Sequence, residues 1–116
     1  MFWKKGNTKN TKGKIELNSN GFQVTHNNGV SLVEWNLIDK ITAYKVDLIT
    51  IDEICFEIEH LNKSLLITEE CVGWRVFLKE LLEKFPLIDK EWEEKIVQPP
   101  FERNETELYI RNKNVA

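Results

Sequence analysis

Three carboxylates and one amine, Asp47, Asp52, Glu53 and Lys45, crowd around one predicted turn. Such a group could bind a divalent cation or move a proton, because hard cations take carboxylate oxygens and acid–base catalysis needs a donor beside an acceptor. The spacing speaks against a calcium loop. That motif sets oxygen ligands at alternate positions around a turning glycine, and Asp47-Leu48-Ile49-Thr50-Ile51-Asp52 has neither feature. A salt-bridged, solvent-exposed turn is the expected state of these side chains. The apolar residues between the two aspartates, Leu48, Ile49 and Ile51, are more informative, since exposed apolar residues mark partner contacts.

Nucleophilic chemistry is the next possibility. Cys55 and Cys71 would have to meet His26 or His60 to form an activated thiolate, and no recognised nucleophile motif surrounds any of the four. A helix N-terminus near Cys71 would lower a thiol pKa, but both cysteines fall in apolar patterns and are expected to be packing residues. No second Cys or His lies at metal-ligand spacing from either, so neither a disulfide framework nor a metal site is expected, and no cofactor. Ser31 sits in no Gly-x-Ser-x-Gly elbow, and no glycine-rich phosphate loop is present. These motifs predict a chain that is not an enzyme.

Charge narrows the partners. Residues 1 to 14 hold five lysines (Lys4, Lys5, Lys9, Lys12 and Lys14) and no acid, whereas residues 15 to 116 hold 11 basic and 19 acidic residues. The acidic body would repel nucleic-acid phosphates, so no nucleic-acid partner is expected. Trp3 beside Lys4 and Lys5 suits an anionic membrane surface or an acidic partner. The alternative is a first strand in which Phe2 or Trp3 joins the core. The start of the chain lacks the apolar run of a signal peptide, and no stretch approaches the roughly 18 apolar residues of a membrane span. The expected compartment is the cytoplasm.

These residues must be positioned by secondary structure that the periodicity largely lays out. At 116 residues one domain is expected: a basic arm or first strand over residues 1 to 13, one α+β domain over 14 to 111, and a polar tail over 112 to 116. Ile15 and Leu17 alternate with polar neighbours, and Phe22 and Val24 share a face of a second strand. Asn27-Asn28-Gly29 supplies a two-residue hairpin turn. Both faces of the third strand are apolar, Val30 and Leu32 on one and Val33 and Trp35 on the other, which predicts cover on both sides near Trp35. Residues 36 to 40 read as a connection, with Leu37 and Ile38 inward. Ile41 to Val46 is a fourth strand and Asp47 to Glu53 links it to a fifth, in which Ile54, Phe56 and Ile58 face in and Cys55, Glu57 and Glu59 face out. Ser64 to Thr68 is a sixth.

Trp74, Phe77, Leu78, Leu81, Leu82 and Phe85 then fall on one helical stripe, with Thr68 as the expected N-cap and Pro86 as the stop. A shorter helix follows Asp89, with Ile88, Trp92 and Ile96 spaced by four. Leu108-Tyr109-Ile110-Arg111 is β-prone and returns as an edge strand.

Six or seven short strands and a closing amphipathic helix, over roughly Lys14 to Phe85, resemble the pleckstrin-homology-like architecture. The implied fold is a bent antiparallel sheet of six or seven strands closed by the C-terminal helix. Glu34-Trp35, Asp52, Glu70 with Gly73, Leu82, Phe85-Pro86 and Leu108-Tyr109-Ile110-Arg111 also resemble the pattern of a family of small uncharacterised bacterial proteins. That resemblance implies a bacterial, cytoplasmic, non-enzymatic domain and supplies no site.

The expected function is a binding module, first for a protein partner of a regulatory or immunity type, met by an acidic face that includes Glu57, Glu59, Glu91, Glu93 and Glu94. Binding to an anionic membrane surface through the basic arm is the alternative, and a small enzyme built on the carboxylates the third. The candidate interaction surface comprises Trp3, Lys4, Lys5, Asp47, Leu48, Ile49, Ile51 and Asp52. Nothing in the sequence sets the oligomeric state.

Overall fold

A computed structural model of the chain describes residues 13–27, 29–47, 52–97 and 104–111. Seven strands form in chain order: β1 (Lys14–Leu17), β2 (Gly21–His26), β3 (Gly29–Glu34), β4 (Ile38–Asp47), β5 (Asp52–His60), β6 (Lys63–Thr68) and β7 (Asn104–Ile110). Two helices, α1 (Trp74–Lys84) and α2 (Trp92–Ile96), lie between β6 and β7.

The strands make two antiparallel sheets, ordered β1-β2-β3 and β6-β5-β4-β7. The expected single bent sheet is therefore corrected to two. The break falls at Trp35, where a 3-10 turn over Trp35–Leu37 redirects the chain after β3. The expected connection over residues 36 to 40 is shorter than predicted, because β4 already begins at Ile38, whose side chain is buried.

The hairpins follow from local chemistry. A hairpin joins β2 and β3 as expected, but His26 pairs with Gly29, so Gly29 opens β3 at φ +128° and is not a residue of the turn that Asn-Gly predicts. Leu61 and Asn62 take positive φ (50° and 61°) in the β5–β6 turn. β4 and β5 remain paired as far as Asp47 and Asp52.

Inward side chains of both sheets meet α1. Phe22 of the first sheet stands 4.8 Å from Phe77, ring centre to ring centre, and Phe56 of the second stands 5.0 Å from Trp74. Trp92 of α2 packs 5.1 Å from Phe56 on the same side. Trp74, Phe77, Leu78 and Leu81 of the helical stripe, the Ile88/Trp92/Ile96 spacing and the inward set of β5 are buried as predicted, while Leu82 and Phe85 are partly buried against the same core.

The start of α1 differs from expectation. Its N-cap is Gly73, at φ +90°, five residues past Thr68. The intervening turn is drawn against β1: Ile15 N–H donates to the Val72 carbonyl at 2.8 Å, and Val72 N–H to the Gly13 carbonyl at 3.1 Å. A Cβ on Gly73 would lie 2.4 Å from the Ile15 oxygen, so only glycine permits this approach. Thr68 instead accepts the Glu70 N–H on its Oγ1 at 3.2 Å.

The closing strand is longer than its apolar run. β7 pairs with β4 from Asn104, with a register shift beside Leu108. A second irregularity at Asp39 interrupts the β4–β5 pairing. Arg111 fastens it: its backbone N–H donates to the Asp39 carbonyl (2.8 Å), its Nε to the Asp39 carboxylate (2.9 Å), and an Nη to the carbonyls of Asn36 (2.6 Å) and Ile38 (2.9 Å).

Candidate functional site

Two members of the turn cluster, Lys45 and Glu53, are buried where exposure was expected from their charges. Lys45 pairs with the inward-facing Ile54, and the pleat aims it beneath α2. Its side chain is fully buried, and Nζ donates to the Val97 carbonyl at 2.9 Å, where the C-terminal end of α2 offers unpaired carbonyl groups. Glu53, one residue before Ile54, faces the opposite side of the sheet and is also buried. Asp47 and Asp52 end the paired segments of the hairpin. Leu48, Ile49 and Ile51, together with Trp3, Lys4 and Lys5, lie outside the described residues. Among the described residues no three His, Cys, Asp or Glu side chains gather in a metal-holding arrangement.

Cys55 and Cys71 are buried thiols. Cys55 and His60 occupy opposite faces of β5, because five residues separate them on a period of two. Cys71 belongs to the core cluster, while the ring of His26 turns toward the Ser31 hydroxyl, 3.4 Å away. His60, on the inward face beside Ile38, is buried with Nδ1 lacking a hydrogen-bond partner. Burial, aided by the charge of Lys63 and opposed by Asp39, holds its pKa below the ordinary histidine value.

The outer face of the four-stranded sheet presents the most coherent chemistry. Strand register lines up two rows across it. One runs Glu107, Thr42, Glu57, Leu66, and the next Ile110, Lys40, Glu59, Ser64. Glu105 lies beside Tyr44 in a third. Glu57 accepts hydrogen bonds from the hydroxyls of Ser64 (2.6 Å) and Tyr44 (2.7 Å). The Ser64 hydroxyl first, then that of Tyr44, holds its carboxyl below the usual carboxylate range. Its charge is thus fixed in place by neutral donors and keeps its sign.

In the helical layer ion pairs engage Glu80, Asp89 and Glu93 but, among the described residues, neither Glu83 nor Glu94. Arg75 pairs with Glu93 at 3.5 Å and Lys84 with Glu80 at 3.8 Å, while Lys95 holds Asp89. Among the described residues no ion pair engages Glu59, Glu105 or Glu107. Glu91, Glu93 and Glu94, expected to share one face with Glu57 and Glu59, belong to α2 on the opposite layer, since Trp92 packs on the inward-facing Phe56.

Glu105 and Glu107 escape an apolar search because they precede the Leu108 run. Their spacing of two, with Thr106 between, is the signal that identifies them as outward residues of one strand. Apolar residues frame the acidic rows: Leu66 is 60% exposed on β6 and Ile110 55% on β7.

Three open clefts flank α1. One of about 410 Å³ at its start includes Cys71, Trp74 and Arg75. Two more, of about 330 and 460 Å³, lie on either side of Trp35 and Lys84 at its end. None gathers the turn carboxylates. No helix among the described residues is long and apolar enough to cross a membrane. Comparison with protein-family models, with curated proteins and with solved structures finds no match to this chain.

Proposed function

We propose that this chain is a non-catalytic protein-binding module, of a regulatory or immunity type, whose partner presents a basic surface to the outer face of the four-stranded sheet. The observation that carries the reading is the gathering of acids on one sheet face: strand register sets Glu57, Glu59, Glu105 and Glu107 on the outer side of the four-stranded sheet, and among the described residues no ion pair engages Glu59, Glu105 or Glu107. Leaving like charges together costs stability, and a partner that neutralises them recovers it. Exposed Leu66 and Ile110 add apolar contact at the rim. Six strands followed by α1 support a pleckstrin-homology-like reading of the fold, from which α2 and the β7 strand beside β4 depart. Two buried thiols fit a reducing compartment, the cytoplasm.

Site-specific photo-crosslinking in the native host tests this. A crosslinker at Ser64 is expected to capture a partner that one at Glu83, on the exposed side of α1, does not, and the adduct should vanish when Glu105 and Glu107 become lysine. Equal capture at both positions, or capture indifferent to charge reversal, sinks the reading.

A second reading, peripheral attachment to anionic membranes, is supported by the five lysines without an acid in residues 1 to 14. It requires salt-sensitive binding to phosphatidylserine vesicles that is abolished by Lys4→Ala with Lys5→Ala. Absence of binding at low salt removes it.

A further inference from the structure

We propose that β3 is the seam of a symmetric homodimer, formed by antiparallel pairing of β3 with the same strand of a second copy. β3 lies at the edge of its sheet, and no strand among the described residues pairs with its far side. The His26–Gly29 pair flanks a two-residue turn, which makes it a hydrogen-bonded pair. Counting by two, Ser31 and Val33 also direct their backbone groups to β2, consistent with Trp35 N–H reaching the Asn20 carbonyl at 3.1 Å. The N–H and C=O groups of Val30, Leu32 and Glu34 therefore point outward along the open edge. That set is symmetric about Leu32, so a two-fold axis through Leu32 joins 30 to 34, 32 to 32 and 34 to 30.

The side chains favour the same arrangement. Val30 and Leu32 are 58% and 65% exposed on the outer face of β3, contrary to the cover expected there. Across the axis the two Leu32 side chains become direct neighbours, flanked by both Val30. Charge and apolar surface together select this edge over the others. β7 presents Glu105 and Glu107 along its length, whereas β3 and β6 each carry one ionisable side chain at an end, Glu34 and Lys63; apolar surface separates these two, since β3 exposes both Val30 and Leu32 and β6 only Leu66. β7 also has an irregular register beside Leu108, a common guard against edge pairing. The outer side of β1 is closed by its bridge to Val72. A second copy therefore meets little repulsion and the most exposed apolar surface at β3.

Sedimentation of the full chain over a wide concentration range, with amide hydrogen exchange followed at the same concentrations, tests the proposal. A reversible monomer–dimer equilibrium is expected, with Val30, Leu32 and Glu34 amides gaining protection only as dimer forms. Leu32→Lys should weaken the dimer by about tenfold or more, because two ammonium groups would face each other across the axis. Leu66→Lys, at an equally exposed apolar residue on β6, should leave it unchanged. A chain that stays monomeric throughout overturns the proposal, as does a dimer sensitive to Leu66→Lys instead. Protection of the three β3 amides already complete in the monomer would assign the edge to another segment of the same chain and also overturn it. The exchange readout on the unmodified chain decides the question even where the lysine variant folds poorly.

Discussion

His60 illustrates how one buried side chain makes stability depend on pH. Its folded pKa lies below the ordinary 6.5 because the imidazolium is disfavoured by burial. As pH falls through 6.5 the unfolded chain takes up the proton first, so stability declines from there down to the folded value and then levels. Glu57 acts in a separate, lower window: its contribution is present above the ordinary 4.5 and is lost as pH falls toward its depressed folded value. Urea midpoints measured across mildly acid pH should therefore fall for the unmodified chain and fall less for His60→Asn, whereas Glu57→Gln should lie below the parent above about 4.5 and converge with it as pH falls further. A His60→Asn profile parallel to the parent would contradict this. Gly73→Ala is expected to destabilise by at least about 1–2 kcal/mol, the cost of a left-handed non-glycine residue, with the approach to the Ile15 oxygen adding to it. Phe77→Ala, at the junction of both sheets, should cost about 3–5 kcal/mol, while the 97%-exposed Leu87 should tolerate serine within about 0.5 kcal/mol.

Among the elements, α2 depends most on its neighbours. Five residues are too few to hold a helix in water, so its stability derives from Trp92 on Phe56 and from Lys45 reaching the Val97 carbonyl. Trp92→Ala is expected to speed amide exchange over residues 92–97 while β5 and β6 keep their protection. Uniform acceleration across both sheets would instead make α2 part of the global folding unit. Those elements whose partners are local were legible in the sequence: the α1 stripe, the alternation in β5 and the β2–β3 hairpin all follow from periods and turn residues. What long-range contact decides was not. Thr68 is a good N-cap by type, yet β1 pulls the Val72 segment aside and helix geometry starts only after Gly73. Lys45 reads as a surface charge, yet register with Ile54 places it inside. Leu32 reads as covered, yet β3 is an edge.

At the scale of the whole molecule, charge is sorted by surface. The net charge of −3 conceals a lysine-rich start and an acidic body, and within that body the outer face of the four-stranded sheet carries Glu59, Glu105 and Glu107 with no ion pair among the described residues. Of the acidic candidate face, sequence placed Glu57 and Glu59 together but grouped them with α2 acids that lie across the sheet, because only strand register reveals which rows align. The most direct test titrates isotopically labelled protein with a short basic peptide, such as a lysine-rich peptide with interspersed leucines, and follows backbone amide shifts. The expected result is salt-sensitive shifts concentrated on Thr42, Glu57, Glu59, Leu66, Glu105 and Glu107. Shifts centred on Glu91, Glu93 and Glu94, or spread evenly over all acidic residues, would contradict a dedicated binding face on the sheet.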